Sequence, residues 1–379
     1  MTGRQRVRAA FEHREPDRTP IFEKLIKRPH VAAILGRPCV LNDWPATMER
    51  LDAGDWEGMV EQTARDIVDL AQTLGMDMVR IRINQPRDAP RPKRVGERAW
   101  QEGEVISELL DTGWVRQRSL APPDTRSEEE LARDTEAWAE ESPPSDPDPT
   151  EYAVMRRTRE LMAERGLDLG LSACMYTMAV ATLSRIQLEW LHTRPALMRR
   201  FYRRCADNAI AEMRRVLELK PDLMGLGGDL ACDHGPLISP ATYREFIMPE
   251  PRRQADFAHQ CGCFATNASD GDIRPLLDDF LIGAGVDGLE EIDYVAGMRI
   301  GQLKQRYGDR ITFIGNLDIR FLLTRGTPEQ CRQHTFEILE EGKGSGGHLL
   351  MSSNCIHEDV KLENFLACLE AYRDYFGLS

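Results

Sequence analysis

Short apolar runs of strand length alternate with longer amphipathic stretches of helical period along the 379-residue chain, and this alternation constrains the fold more than any other feature. The strand-like runs fall at residues 20–23, 76–83, 167–172, 222–227, 263–267, 287–292, 311–314 and 348–352. Helical stretches separate the later runs at 179–219, 240–261, 273–282, 298–307 and 328–341, and a closing helix follows at 361–375. Each strand is followed by helical or inserted material, and no glycine-rich nucleotide loop follows the first. This order predicts an α/β fold of the (β/α)8 TIM-barrel type rather than an open doubly wound sheet.

Two additions are expected on the barrel. Val7, Ala10 and Phe11 recur at helical spacing and predict an N-terminal helical extension. Residues 85–150 read as an insertion: a hairpin from runs at 100–106 and 113–118, then a stretch rich in proline and acid with one short helix at about 128–138. The strand–helix alternation resumes afterwards in the same style, so residues 1–379 are expected to form a single domain.

A hydrophobic fraction of 41% suffices for a large core, and a formal net charge of −13 disfavours nucleic acid and anionic membrane surfaces as partners. Nine cysteines, odd in number and scattered, do not form a disulfide framework. The charged opening has no apolar signal-type segment, and no stretch reaches the roughly 18 apolar residues of a membrane span. A cytoplasmic protein is expected.

In a barrel, chemistry gathers on the loops at the C-terminal ends of the strands. That rule selects Glu23, Lys24, Arg80, Arg82, Cys174, Tyr176, Asp229 and Asp233 in the first half. In the second half it selects Asn267, Asp270, Glu290, Glu291, Asp293, Asn316, Asp318, Asn354 and His357. The mouth is expected to be lined by carboxylates and amides. Met175, Met178, Trp190 and Met198 read as core packing, and the arginines at 199, 200, 203 and 204 as a solvated helix face.

Five segments resemble the uroporphyrinogen decarboxylase-like superfamily in its order. They are GRQRVRAAFEHREPDRTPI, GPLISPATYREFIMPEPRR, DGDIRPLLDDFLIGAGVDGLEEID, AGMRIGQLKQRYGDRITFIGNLD and GHLLMSSNCIHEDVKLENFLACLEAYRDYF. The resemblance spans most of the chain and is weakest over 85–165. It implies either decarboxylation of porphyrinogens or zinc-dependent methyl transfer with a corrinoid (cobalamin-type) cofactor.

In the methyltransferase branch the resemblance implies zinc held by His-x-Cys and a distant cysteine. His259, Cys261 and Cys355 look like that set, but register disfavours them. The family's motif falls on Ala268-Ser269-Asp270-Gly271, and its distal cysteine on Asn354. His259 instead closes the preceding helix, with Gly262 as its cap. The thiolate ligands of zinc are thus replaced, and the remaining metal candidates are Asp229, Asp270 and Asp293. The decarboxylase branch implies an arginine-bearing loop after the first strand, whereas this chain has PIFEKLIKRPHVAAILGRP.

The leading expectation is a corrinoid-dependent methyltransferase or demethylase. Asp229, Asp270, Glu291 and His357 are its catalytic candidates; Glu23, Lys24, Arg80, Tyr176, Asn267, Asn316 and Asn354 are its substrate-binding candidates. Expected partners are a small-molecule substrate, a corrinoid protein carrying the cofactor and a second copy of the chain in a homodimer. The alternatives are a cofactor-free decarboxylase, with Lys24, Arg80 or Arg82 over the departing carboxylate, and a non-catalytic binding barrel.

Overall fold

Seven parallel strands form one curled sheet in chain order: Met78–Ile81, Gly170–Cys174, Leu223–Gly225, Phe264–Ala268, Gly288–Glu290, Thr312–Ile314 and His348–Leu349. This arrangement comes from a computed structural model that describes residues 1–81, 83–110, 115–122, 124–142, 148–174 and 180–378. Residues 20–22 close the ring. Phe22 N donates to Leu350 O (3.0 Å) and Leu350 N to Pro20 O (2.9 Å), while on the other flank Asp77 N donates to Ile21 O (2.8 Å). Pro20 has no N–H to give, which reduces this first strand to a few bonds. Among the described residues this closes the parallel sheet on itself, and the fold is the (β/α)8 barrel that the alternation predicts.

The helix Gly3–Phe11 begins with a capping box between Thr2 and Gln5. Its apolar face carries Val7, Ala10 and Phe11 into the N-terminal end of the barrel, against Phe22, Met78, Leu223, Ile314 and Leu349. Phe11 stacks on Phe264 at 4.8 Å. Gly288 permits this plug, since a Cβ there would lie 2.9 Å from Thr312 O and 3.0 Å from the Phe11 ring. Burying side chains of this size contributes roughly 1.5–3 kcal/mol each.

Several elements differ from the sequence reading. Three helices, His30–Leu35, Trp44–Asp52 and Trp56–Leu74, lie between the first and second strands. The expected hairpin is a four-stranded antiparallel sheet of Lys93–Gly96, Ala99–Glu102, Val105–Leu109 and Val115–Ser119. The run 100–106, read as one strand, contains a turn at Gly103 (φ +57°), so Gln101 pairs with Ile106 instead of continuing into it. The long helix expected at 179–219 is two, Arg185–Thr193 and Pro195–Val216, because Pro195 cannot continue a helix but suits a first turn. The acidic stretch does carry a helix, Glu128–Glu140, opened by a Ser127–Glu130 capping box. No helix among the described residues is long and apolar enough to cross a membrane.

Candidate active site

Inside the barrel, alternate residues of each strand point inward. Arg80, Ser172, Thr266 and Glu290 form a polar layer there, all of them buried. The Arg80 guanidinium pairs with Glu290, and its Nε lies 3.3 Å from Ser172 Oγ; Thr266 Oγ1 donates to Glu290 at 2.7 Å. Burial opposes ionisation of Glu290, but the charge and hydrogen bond of Arg80 outweigh it and hold the carboxyl below its ordinary range.

Above this layer three carboxylates converge. Ligand-capable oxygens of Asp229, Asp270 and Glu291 lie within 4.8 Å of one another. The loops that carry them need special backbone. Gly227 (φ +84°) passes so close to Asn267 that a Cβ would sit 2.9 Å from its Oδ1, and Gly271 (φ +84°) lies against Cys232 O. Glu291 itself is left-handed (φ +60°), a conformation that costs a non-glycine residue about 1 kcal/mol or more. Ser269 Oγ ties two of the loops, accepting from Leu230 N (3.0 Å) and donating to Asp270 O (3.0 Å).

Neighbours tune the cluster. Asn354 Nδ2 lies 2.8 Å and 2.7 Å from the two oxygens of Asp270. The Lys24 ammonium pairs with Glu291. Burial, aided by the charges of Asp229 and Asp293, raises the Asp270 carboxyl above its usual range against the pull of Asn354 and Lys24. Burial and the nearby Arg80 charge push Lys24 down to about 8. Burial also pushes Glu23 up to about 8, although it accepts from Ser352 N (2.8 Å) and lies 2.6 Å from Ser352 Oγ. That hydroxyl also lies 2.7 Å from Asn354 O, yet has one proton to give. A protonated Glu23 resolves the conflict by donating to Ser352, which then donates to Asn354.

A cavity of about 350 Å³ opens above the cluster, bordered by Asp270, Asn354, Cys355, His357 and Arg320. Burial lowers the His357 imidazole, favouring its neutral form, and its Nδ1 accepts from Asp359 N (3.3 Å). Arg320 grips Asp233 through two bonds of 2.7 and 2.8 Å and reaches Asp293 at 3.3 Å. Asp293 also caps Val295 N and Ala296 N, so its place among the metal candidates is taken by Glu291.

Not every residue expected at the mouth is there. Asn267 alternates with the inward Thr266 and therefore points outward, donating to Phe280 O at 2.6 Å. Asn316 is fully buried, its Nδ2 donating to Met298 O at 2.9 Å. Neither borders the mouth cavity. Tyr176 and Arg82 lie outside the described residues.

His259 bonds Asp287 at 2.8 Å, and Asp287 in turn accepts from Ala265 N (2.7 Å). Asp287 precedes its strand, so His259 and Cys261 sit at the opposite end of the barrel from Cys355. Zinc held by an imidazole and two thiolates does not fit these residues. The convergent donors are all carboxylates, with Asp270 facing the Asn354 amide and Glu291 facing the Lys24 ammonium.

Sequence reasoning missed Ser352 and Arg320. The signal for Ser352 was its place at the end of the last strand-like run; a lone arginine two residues after Asp318 offered none.

The uroporphyrinogen decarboxylase (URO-D) family profile matches residues 131–375. A uroporphyrinogen decarboxylase of Coxiella burnetii is 28% identical over 148 residues, 37% of this chain and 38% of that protein. A methylated-thiol–coenzyme M methyltransferase of Methanosarcina mazei is 30% identical over 139 residues, 36% of this chain and 34% of that protein. A uroporphyrinogen decarboxylase of Methylococcus capsulatus is 26% identical over 235 residues, covering 59% and 63%. Each match spans less than two thirds of the relative. Among solved structures, a methyltransferase from Methanosarcina mazei shares the fold over 99% of both chains, with a TM-score of 0.68 at 17% identity.

Proposed function

Because the chain belongs to the uroporphyrinogen decarboxylase family, whose relatives carry both decarboxylase and methyltransferase names, we propose that it transfers a methyl group from a small methylated donor in the mouth to a corrinoid carried by a partner protein. One observation carries this choice. Among the described residues the mouth presents convergent carboxylates, while the cations around it are already engaged: Lys24 with Glu291, Lys27 with Glu358, Arg80 with Glu290, Arg320 with Asp233 and Asp293. A polycarboxylate porphyrinogen needs convergent guanidinium groups and would meet like charge here. An ether or a methylated amine meets hydrogen-bonding acids or favourable charge.

The corrinoid, arriving with its carrier, supplies the nucleophile that takes the methyl group. This chain therefore needs an open rim over a small pocket, and the 350 Å³ mouth supports that requirement. The bond from the methyl carbon to the donor heteroatom breaks with its electron pair left on the heteroatom, which then needs a proton if the donor is an ether. Asp270, raised above the ordinary carboxyl range, is the acid we assign to that proton, and the Asn354 amide fixes its orientation. Lys24 is a second source through its ammonium, beside Glu291. Asp229, exposed beside Asp270, and neutral His357 orient the donor. Zinc has no part in this sequence of steps.

The test incubates the protein with reduced free cobalamin and a panel of methyl ethers and methylated amines, following loss of donor methyl by mass. Wild type should demethylate a member of the panel, and Asp270→Asn should slow it by about 10²–10⁴-fold for an ether. Carbon dioxide release from uroporphyrinogen or a smaller carboxylate, without methyl transfer, would establish the decarboxylase reading suggested by the relatives' names. Binding without turnover of either kind would leave a non-catalytic barrel.

A further inference from the structure

Barrel closure lays the first strand beside the last, with Ile21 opposite Leu350, and so brings Glu23 to Ser352, 329 residues away. Both are buried, Glu23 at 8% exposed and Ser352 at 0%. Each oxygen of the carboxyl has its own task. Glu23 Oε1 accepts from Ser352 N at 2.8 Å, and Oε2 lies 2.6 Å from Ser352 Oγ. The hydroxyl is in turn 2.7 Å from Asn354 O. This is the pattern of a neutral carboxylic acid, whose carbonyl oxygen accepts and whose hydroxyl donates, so that the serine proton goes to Asn354. No cation among the described residues bonds Glu23, since the Lys24 ammonium turns to Glu291. A buried carboxylate ion without such a partner is costly, and protonation removes that cost.

The loop after the last strand is pinned on both sides. Ser353 N donates to Leu317 O at 2.8 Å, and Ile356 N to Leu25 O at 2.9 Å. Between the pins stand Asn354 and Cys355, and the serine hydroxyl holds the Asn354 carbonyl. The side chain of the same asparagine presents Nδ2 to both oxygens of Asp270, at 2.8 and 2.7 Å. The orientation of Asp270 is thereby set by a residue whose own backbone is set by Ser352 and Glu23. Neither Glu23 nor Ser352 borders the mouth cavity. Glu23 borders a larger cavity beside the mouth, but both of its oxygens are already committed to Ser352.

We propose that Glu23 and Ser352 are positioning residues for Asp270: protonated Glu23 turns the Ser352 hydroxyl onto the Asn354 carbonyl, which keeps the Asn354 amide on the Asp270 carboxyl. The proposal rests on the reading of Asp270 as the acid of methyl transfer, and extends it to the chain of bonds that keeps that acid aimed. No proton travels along this chain, because the peptide carbonyl and side-chain amide of Asn354 interrupt it. Residue 23 must therefore supply one acceptor and one donor in the right order, and it need not ionise. Glutamine meets that demand, with Oε1 accepting from Ser352 N and Nε2 donating to the hydroxyl. Leucine meets none of it.

The test compares the full chain of wild type with Glu23→Gln, Glu23→Leu and Ser352→Ala, each shown to be folded by its thermal midpoint. In infrared spectra at pH 7, wild type should carry a protonated-carboxyl band that Glu23→Gln lacks. In crystal structures, the Asn354 amide should leave hydrogen-bond reach of Asp270 in Glu23→Leu and Ser352→Ala and keep it in Glu23→Gln. In the cobalamin assay with a methyl ether, Glu23→Leu and Ser352→Ala should each lose about 10–100-fold in kcat with KM little changed, as expected when a reacting group is misaimed. Glu23→Gln should recover most of that loss. A Glu23→Gln protein as slow as Glu23→Leu overturns the proposal, because the carboxyl itself would then take part in the chemistry. An Asn354–Asp270 contact that survives both Glu23→Leu and Ser352→Ala also overturns it, as does a wild-type spectrum without the band. If wild type moves no methyl from any donor, the methyl-transfer reading falls, and the infrared and crystal results still decide whether Glu23 and Ser352 hold Asn354.

Discussion

At the N-terminal end of the barrel, Asp77 receives Arg6, Arg18 and the Ile21 amide, while Asp222 receives Arg4, Arg8 and the Leu171 amide. At the C-terminal end, Asp229, Asp270 and Glu291 crowd one another, with Lys24 and Asn354 between them and the loops. The same side chain serves both ends. Below, each buried carboxylate is surrounded by guanidinium groups that match it, and it fastens strand starts to the N-terminal helix. Burial raises a carboxyl at both ends, Asp77 below and Asp270 above, but above no guanidinium among the described residues bonds Asp270 and the charges of Asp229 and Asp293 add to the rise. Stability belongs to the lower end and reactivity to the upper, the division expected of a barrel.

Substitutions on the two sides should separate these roles. The largest effect is expected for Asp270→Asn: a loss of about 10²–10⁴-fold in turnover of an ether donor, with a folded protein and a thermal midpoint no lower than wild type, since a like-charge contact is relieved. Next is Asp77→Ala at the lower end. It strands two arginines and a buried amide, and denaturant unfolding should show a loss of about 3–5 kcal/mol with turnover per folded molecule preserved.

Glu23→Gln should give a smaller, pH-dependent change. The carboxyl keeps its proton in the folded chain up to about 8, far above its unfolded value. The folded state therefore binds the extra proton across that window, and stability contributed by this group is present at low pH and lost as pH rises toward 8. The glutamine variant should match wild type at pH 5 and melt higher than wild type at pH 8. His259→Ala should do least, within about 1 kcal/mol of stability for a partly exposed pair, with no change in activity.

Much of the barrel was legible because each strand is a short apolar run with helical spacing after it. The closing strand at residues 20–22 shows how little is needed: two prolines nearby, a handful of bonds, and still a ring. The inserted sheet was half legible, because Gly103 turns the chain inside a run that looks continuous. At the site, loop positions such as Asp229, Asp270, Asn354 and His357 could be chosen from strand ends alone. Whether a strand-end side chain faces the mouth could not, since one residue of register decides it. Asn267 fell on the outward face while Glu291, through a left-handed backbone, came inward. The paired state of Lys24 and Arg80 depends on partners more than 200 residues away, which no local pattern encodes.

The most direct measurement follows an isotope-labelled methyl group from a methyl ether into reduced cobalamin, with wild type, Asp270→Asn and His259→Ala side by side. The account predicts transfer by wild type and His259→Ala and its near-complete loss in Asp270→Asn. Transfer that survives in Asp270→Asn but disappears in His259→Ala would place the chemistry at the other end of the barrel and contradict it.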